Sequence, residues 1–310
     1  MPADDPGFVD HHVHLLRVAA GVVIRGAAST PEAIADYHRR VAASGSTPMD
    51  EPPGDPAAED LVAALRDGLQ KAADVGLVGV TEAGMSDWRH WDALVELRER
   101  GGGGSLPVDV RVLVASGAAD LDRMDAAREV ADDHLAVIGV KFYADGWLAP
   151  RTCACSLPFA DVDGDDHGIL FQDAARLASR AEPFAVAGWG LATHAIGDRA
   201  IETALDAYER VYGGAAGVRE AAPRIEHAQV LRPDLIERMA DLGVVACIQP
   251  CFATSDAESI ALALAGRFPD AYRWDRLLDA GVRVIAGSDF PIETLDPGIG
   301  LERLTTGEHA

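Results

Sequence analysis

Short apolar, β-branched runs alternate with longer amphipathic segments along the chain, a rhythm that predicts strands and helices in strict succession. Eight runs read as strands: 8–15, 77–83, 108–115, 137–144, 184–194, 224–229, 244–249 and 282–288. The amphipathic stretches 56–75, 87–100, 120–134, 171–181, 198–212, 233–242 and 270–280 read as helices. Pro233 marks a first helical turn, and Gly76, Gly101, Gly243 and Gly281 fall just past last turns. Alternation of this kind implies parallel strands joined by crossover helices. Eight such units fit a single α/β domain over residues 1–310, a (β/α)8 TIM-like barrel. An open doubly wound sheet is the competing architecture, and no phosphate-binding glycine fingerprint follows the first strand to support it.

Two stretches interrupt the rhythm. Residues 17–55 contain a helical piece at 31–43 and then a segment rich in Pro, Gly and Asp, and residues 252–269 follow the seventh strand. In a barrel both emerge at the C-terminal face, where active sites are built, so both read as lid insertions.

Composition narrows the function classes. Against 27 Lys and Arg stand 50 Asp and Glu, a formal net charge of −23, which disfavours nucleic acid and anionic membrane surfaces. No apolar run reaches the roughly 18–20 residues that span a bilayer. The N-terminus, Met1-Pro2-Ala3-Asp4-Asp5-Pro6, has neither the basic region nor the apolar run of a signal peptide. Four cysteines in 310 residues are too few for a disulfide scaffold. The expectation is a cytoplasmic protein with reduced thiols that acts on a small molecule, with a homodimer as an option for its assembly.

Chemistry enters at the strand ends. The first strand reads Phe8-Val9-Asp10-His11-His12-Val13-His14-Leu15, and strand alternation puts His12 and His14 on one face. Two neutral imidazoles side by side make half of a first-row metal site. Four other strand ends carry metal-competent groups: Lys141, His194, His227 and Asp289. A closed barrel gathers such ends over one point although they are far apart in sequence.

These stretches resemble the amidohydrolase superfamily of metal-dependent hydrolases, and within it the amidohydrolase family 3 branch, of the N-substituted formamide deformylase kind. The matching motifs are Asp10-His11-His12-Val13-His14, Val140-Lys141-Phe142-Tyr143-Ala144-Asp145-Gly146, His194-Ala195-Ile196-Gly197-Asp198-Arg199, Arg224-Ile225-Glu226-His227-Ala228-Gln229 and Gly287-Ser288-Asp289-Phe290-Pro291, in family order. The resemblance implies a centre of two Zn²⁺ ions, or other divalent metals. His12 and His14 would bind the buried ion, and His194 and His227 the outer one. Lys141, carboxylated by CO₂, would bridge the two. Asp289 would bind the buried ion and carry the proton, which makes Asp289 and Lys141 the implied catalytic residues. A metal-bound hydroxide would then attack the carbonyl carbon and so hydrolyse the C–N bond of an amide, N-formyl group or cyclic amide.

Alternatives stay open at this stage. Lys141 could instead be an ammonium paired with Asp145 or Asp198, leaving a mononuclear site. The same metal chemistry serves a deaminase, an amide-forming cyclase, or a lactone or phosphotriester hydrolase, and a noncatalytic barrel stabilised by its metal is the reading outside enzymes. Trp147, Arg151, Asp198 and Arg199 are the candidates for substrate contact, whereas Glu226 reads as structural. The chain departs from the family pattern where Asp145-Gly146-Trp147-Leu148-Ala149-Pro150-Arg151-Thr152 replaces the usual Asp-Gly-Ser-Leu-Gly-Ser-Arg-Thr. The β-sandwich that relatives assemble from their chain ends is expected to be missing from these residues. Cys153 and Cys155 are expected to be reduced surface thiols.

Overall fold

The computed structural model describes residues 7–16, 39, 58–101 and 105–306. Its strands are β1 (Phe8–Val13), β2 (Leu77–Met85), β3 (Asp109–Ala115), β4 (Leu135–Tyr143), β5 (Gly190–Ala195), β6 (Arg224–His227), β7 (Val245–Ile248) and β8 (Arg283–Ala286). They form one eight-stranded sheet in the order β1 to β8. The pairings β1–β2, β2–β3, β4–β5, β5–β6 and β6–β7 are parallel, and Val13 bridges in parallel to Phe290 just beyond β8. Interleaved with them run α1 (Ala58–Asp74), α2 (Trp88–Arg100), α3 (Leu121–Glu129), α4 (Ala174–Val186), α5 (Asp198–Val211), α6 (Ala215–Ala221) and α7 (Pro233–Leu242). The short helices α8 (Phe252–Ser255), α9 (Ala257–Ser259) and α10 (Trp274–Asp279) follow, then α11 (Pro297–Thr306). This is the expected (β/α)8 barrel.

Among the described residues the chain forms two compact units. The first holds residues 7–16, 58–101, 105–138 and 286–306. In it, Leu61, Leu65, Leu69 and Ala72 recur on one side of α1 at helical spacing and are all buried, as are Val80 of β2 and Val110 and Val112 of β3. The second unit holds residues 39 and 139–285. Its helix α5 buries Ala200, Ile201, Ala204, Leu205, Ala207 and Tyr208. The Tyr208 hydroxyl is within 2.7 Å of both Thr193 Oγ1 and the Arg224 carbonyl, which satisfies the polar atom that this buried ring carries.

Where β4 meets β5, a side chain has no room. A Cβ on Gly139 would sit 2.1 Å from the Gly190 carbonyl oxygen, a backbone atom that cannot swing aside. Gly139→Ala is therefore expected to cost about 3 kcal/mol of stability through overpacking. A urea midpoint equal to that of the parent would show that the two strands can part at no cost.

The structure corrects several sequence boundaries. The run 184–194 is not one strand: Phe184 and Val186 complete α4, and β5 begins only at Gly190. The helix stops because Gly188 takes φ +78° and its N–H donates to the Ala185 carbonyl. The helix expected over 120–134 ends at Glu129, since Asp132 Oδ1 accepts from the N–H groups of His134 and Leu135 and forms a turn instead. Residues 215–221, left between elements by the periodicity, form α6. The second interruption, 252–269, contains α8, α9 and a π-helical turn at Ile260–Leu264 rather than open loop. The insertion expected at 17–55, with its helical piece at 31–43, lies outside the described residues apart from residue 39.

Candidate metal centre

In the first unit, the end of β1 and the segment after β8 are stitched together by backbone. The Asp289 N–H donates to the His12 carbonyl at 2.7 Å, and the His14 N–H donates to the Phe290 carbonyl at 2.8 Å. Asp10 reinforces this, accepting from the backbone N–H of His12 at 3.0 Å and that of Ser288 at 3.0 Å. Burial, with Asp289 close by, pushes the Asp10 carboxyl up to about 6 against the pull of these donors. Gly287 is required here, because a Cβ would lie 2.4 Å from the His12 backbone nitrogen. Asp289 adopts φ +59°, a left-handed conformation that Asp tolerates better than most residues.

The result is a buried cluster of His12, His14 and Asp289. Asp289 Oδ1 lies 3.6 Å from His12 Nε2 and 3.2 Å from His14 Nε2. The rings of His12 and His14 meet edge to face with centroids 5.3 Å apart, so the face-sharing expected from strand alternation holds. On the other side of His14, Nδ1 lies 3.4 Å from Glu82 Oε1, while Glu82 Oε2 accepts from the Leu16 N–H at 3.0 Å. Burial pushes the His14 imidazole toward its neutral form, but Asp289 and Glu82 outweigh it and leave the pKa above the usual histidine value. The site therefore stabilises added positive charge. Three ligand atoms of the right kind within 4.8 Å of one another, in a negative field, fit a divalent cation.

The second unit brings Lys141, His194 and His227 to the C-terminal ends of β4, β5 and β6. In register, Tyr143 stands opposite His194, and Ala195 opposite His227. The rings of His194 and His227 are 4.5 Å apart, and Lys141 Nζ lies 5.2 Å from the centre of the Tyr143 ring. All four side chains are buried. His227 and Ala228 both take positive φ, +78° and +48°, a local strain of the kind that collects at functional sites. His194 Nε2 is 2.8 Å from the Gly146 carbonyl, an atom that only accepts, so the proton sits on Nε2 and the lone pair on Nδ1.

Around these residues the loops are held by carboxylates. Asp145 accepts from the backbone N–H groups of Ala154, Ile196 and Gly197 at 2.8–3.1 Å. Burial still pushes its carboxyl up to about 8. Asp198, wholly buried, accepts from the Ser156 N–H and from Arg232, each at 2.7 Å. Arg151 is engaged by Asp161 and by the carbonyls of Leu148 and Ala149. Arg199 and Trp147 are exposed. Glu226 is buried and gripped by Arg224 through Nε at 2.8 Å and Nη2 at 3.1 Å. Cys153 and Cys155 correct the expectation of surface thiols: both are wholly buried, with sulfurs 3.8 Å apart, in the loop whose backbone Asp145 holds.

Sequence reasoning did not single out Glu82 or Gln249. Glu82 is the one charged residue of β2, near its end, and Gln249 directly follows the apolar β7. A single carboxylate or carboxamide at the C-terminal end of a buried strand is the signal that would have found both.

A barrel with imidazole and carboxylate side chains at its C-terminal strand ends has the make-up of a metal-dependent barrel hydrolase. The model of the amidohydrolase family matches residues 46–310, and the chain belongs to that family. The match begins after β1, so His12 and His14 rest on their own geometry. The chain is 31% identical over 246 residues to YtcJ of Bacillus subtilis, an amidohydrolase by name, covering 79% of this chain and 44% of that protein. It is 33% identical over 112 residues to an N-substituted formamide deformylase of Arthrobacter pascens, covering 36% of this chain and 20% of that one. The chain thus spans less than half the length of these curated relatives. In fold it is similar to the crystal structure of an uncharacterized metal-dependent hydrolase from Pyrococcus furiosus, with a TM-score of 0.72 at 22% identity over 96% of this chain and 76% of that one. Among the described residues no helix is long and apolar enough to cross a membrane.

Proposed function

We propose that the chain works as a single barrel that hydrolyses a C–N bond of a small amide, N-formyl compound or cyclic amide, using two Zn²⁺ ions. The observation that carries this reading is the approach of one carboxylate oxygen, Asp289 Oδ1, to two imidazole nitrogens in a buried cluster. His12, His14 and Asp289 would hold one ion, and His194 and His227 the other. Lys141 would join them as a carbamate, formed when neutral Nζ bonds the carbon of CO₂ and releases a proton. Bound ions supply Lewis acidity at a carbonyl and lower the pKa of water toward neutrality.

The protein's own groups do the rest. Asp289 takes the proton from the attacking water and delivers it to the nitrogen that leaves, so that a C–O bond forms as the C–N bond breaks. Glu82 orients His14 from behind, and Asp145 fixes the connection between the strand end that carries His194 and the start of α5. Exposed Trp147 and Arg199 are the groups assigned to substrate contact. Arg151 and Asp198, occupied by Asp161 and Arg232, are assigned to holding the surrounding loops. The N-formyl option is supported by the similarity to the formamide deformylase. The working context proposed is cytoplasmic, with a small-molecule substrate and no nucleic-acid or membrane partner.

Dialysis against a chelator is expected to abolish hydrolysis of the best substrate in a panel of N-formyl amines, cyclic amides and lactones, and Zn²⁺ should restore it. Full turnover by protein shown to be metal-free would end the metal-hydrolase reading. Preference for a lactone over every amide would end the C–N assignment alone.

A further inference from the structure

We infer that Gln249 is a positioning residue that sets the tautomer of His227, so that His227 offers Nε2 rather than Nδ1 as its lone-pair nitrogen; the use of that nitrogen rests on the proposed ligand role of His227. Gln249 follows β7 and is wholly buried, as is the amide it carries. Its Nε2 donates to the Cys247 carbonyl at 3.2 Å. Were the amide reversed, its oxygen would face that carbonyl, two acceptors in a buried site with no proton between them. The orientation is therefore fixed by the chain itself, and Gln249 Oε1 points to His227 Nδ1 at 2.7 Å. An amide oxygen accepts and cannot donate, so Nδ1 carries the proton. In a neutral imidazole the other nitrogen then keeps the lone pair.

The pairing has a counterpart on the adjacent strand with the opposite sense. Gly146 places the proton of His194 on Nε2, whereas Gln249 places that of His227 on Nδ1. The two rings, 4.5 Å apart and T-shaped, thus present different nitrogens. Without Gln249 the ring loses the acceptor that fixes its proton on Nδ1, and its tautomer population shifts. Part of its population would then lose the ligating geometry, an effect that for such outer partners amounts to about ten- to hundredfold in metal affinity. The backbone adds to the need for an outside hold, because His227 sits at φ +78° in a short strand whose last residue it is.

The test is long-range ¹⁵N–¹H NMR on histidine-labelled metal-free protein at a pH where His227 is neutral, with its signals assigned by loss in His227→Gln. Wild type should show the proton on Nδ1, and a proton on Nε2 overturns the inference whatever the variants do. Gln249→Met should shift population toward Nε2–H and weaken binding of the second Zn²⁺ by about ten- to hundredfold. Gln249→Glu, which keeps an acceptor toward Nδ1 but loses the N–H that donates to the Cys247 carbonyl, should retain Nδ1–H and bind the second Zn²⁺ more tightly than Gln249→Met. An unchanged tautomer in Gln249→Met also overturns it. Should that variant fail to fold, the wild-type spectrum and the Gln249→Glu variant still decide. Failure of the underlying reading looks different: His227→Ala would bind as many Zn²⁺ ions as the parent while the tautomer in wild type stood as assigned.

Discussion

Asp289→Asn is expected to lower kcat by about 10³-fold while leaving the fold intact, within the range by which a positioned acid or base accelerates proton transfer. The substitution isolates that role well. Asn tolerates the left-handed backbone at φ +59° as readily as Asp, and the N–H that donates to the His12 carbonyl is unchanged. An amide oxygen can still face a cation, whereas an amide cannot accept a proton from water near neutral pH. The loss should therefore fall on kcat, with KM nearly constant, because the group acts as the proton moves rather than as the substrate binds. Parallel measurements of bound Zn²⁺ and of thermal unfolding separate loss of the base from loss of the site. Activity within tenfold of the parent, with metal retained, would remove Asp289 from the proton path.

Much of the framework was legible in the sequence because barrel strands and helices each carry a strong local signal. Helix α7 was bounded to the residue, since Pro233 pre-sets its first turn and Gly243 takes the left-handed φ of +66° that ends it. Failures occurred where local signal and tertiary context diverged. Phe184 and Val186 alternate with small residues as a strand would, yet they close α4, and Val186 is 81% exposed rather than buried. The stretch after β7 offered no amphipathic stripe because its helices are of three and four residues with a π-helical turn behind them, too short for a periodic pattern.

Candidate ligands were legible for a related reason: His, Lys and Asp are conspicuous at the ends of apolar strands. Their supports were not. Glu82 acts on His14 across 68 positions of sequence, and Gln249 acts on His227 across 22, so neither pairing exists until strands are neighbours. The same holds for Asp198, which the sequence nominates for substrate contact. Its carboxylate is taken by Arg232, 34 residues on, and by the Ser156 N–H. Spacing along a chain thus nominates side chains with lone pairs, and packing decides which of them face a substrate and which hold a loop.

Lys141→Ala is expected to reduce bound Zn²⁺ from two ions per chain to one or none and to cut kcat by at least about 10²-fold, since a carbamate on Lys141 would supply the anionic oxygens that hold the ions. The side chain is 1% exposed at the end of β4, beside the Tyr143 ring, with His194 opposite that tyrosine in register. Truncation to Ala leaves a space the size of the lost side chain, so short carboxylic acids added to the buffer should enter it and restore part of both metal content and rate. An ammonium paired with a carboxylate makes the opposite prediction: removing it would relieve positive charge near the ligands, and metal binding would hold or improve without any added acid. Of the two carboxylates that the ammonium alternative invokes, Asp145 accepts from three backbone N–H groups and Asp198 from Arg232. Two ions retained by Lys141→Ala in acid-free buffer would rule out the bridge, and rescue of stoichiometry by acetate or formate is the result that the carbamate requires.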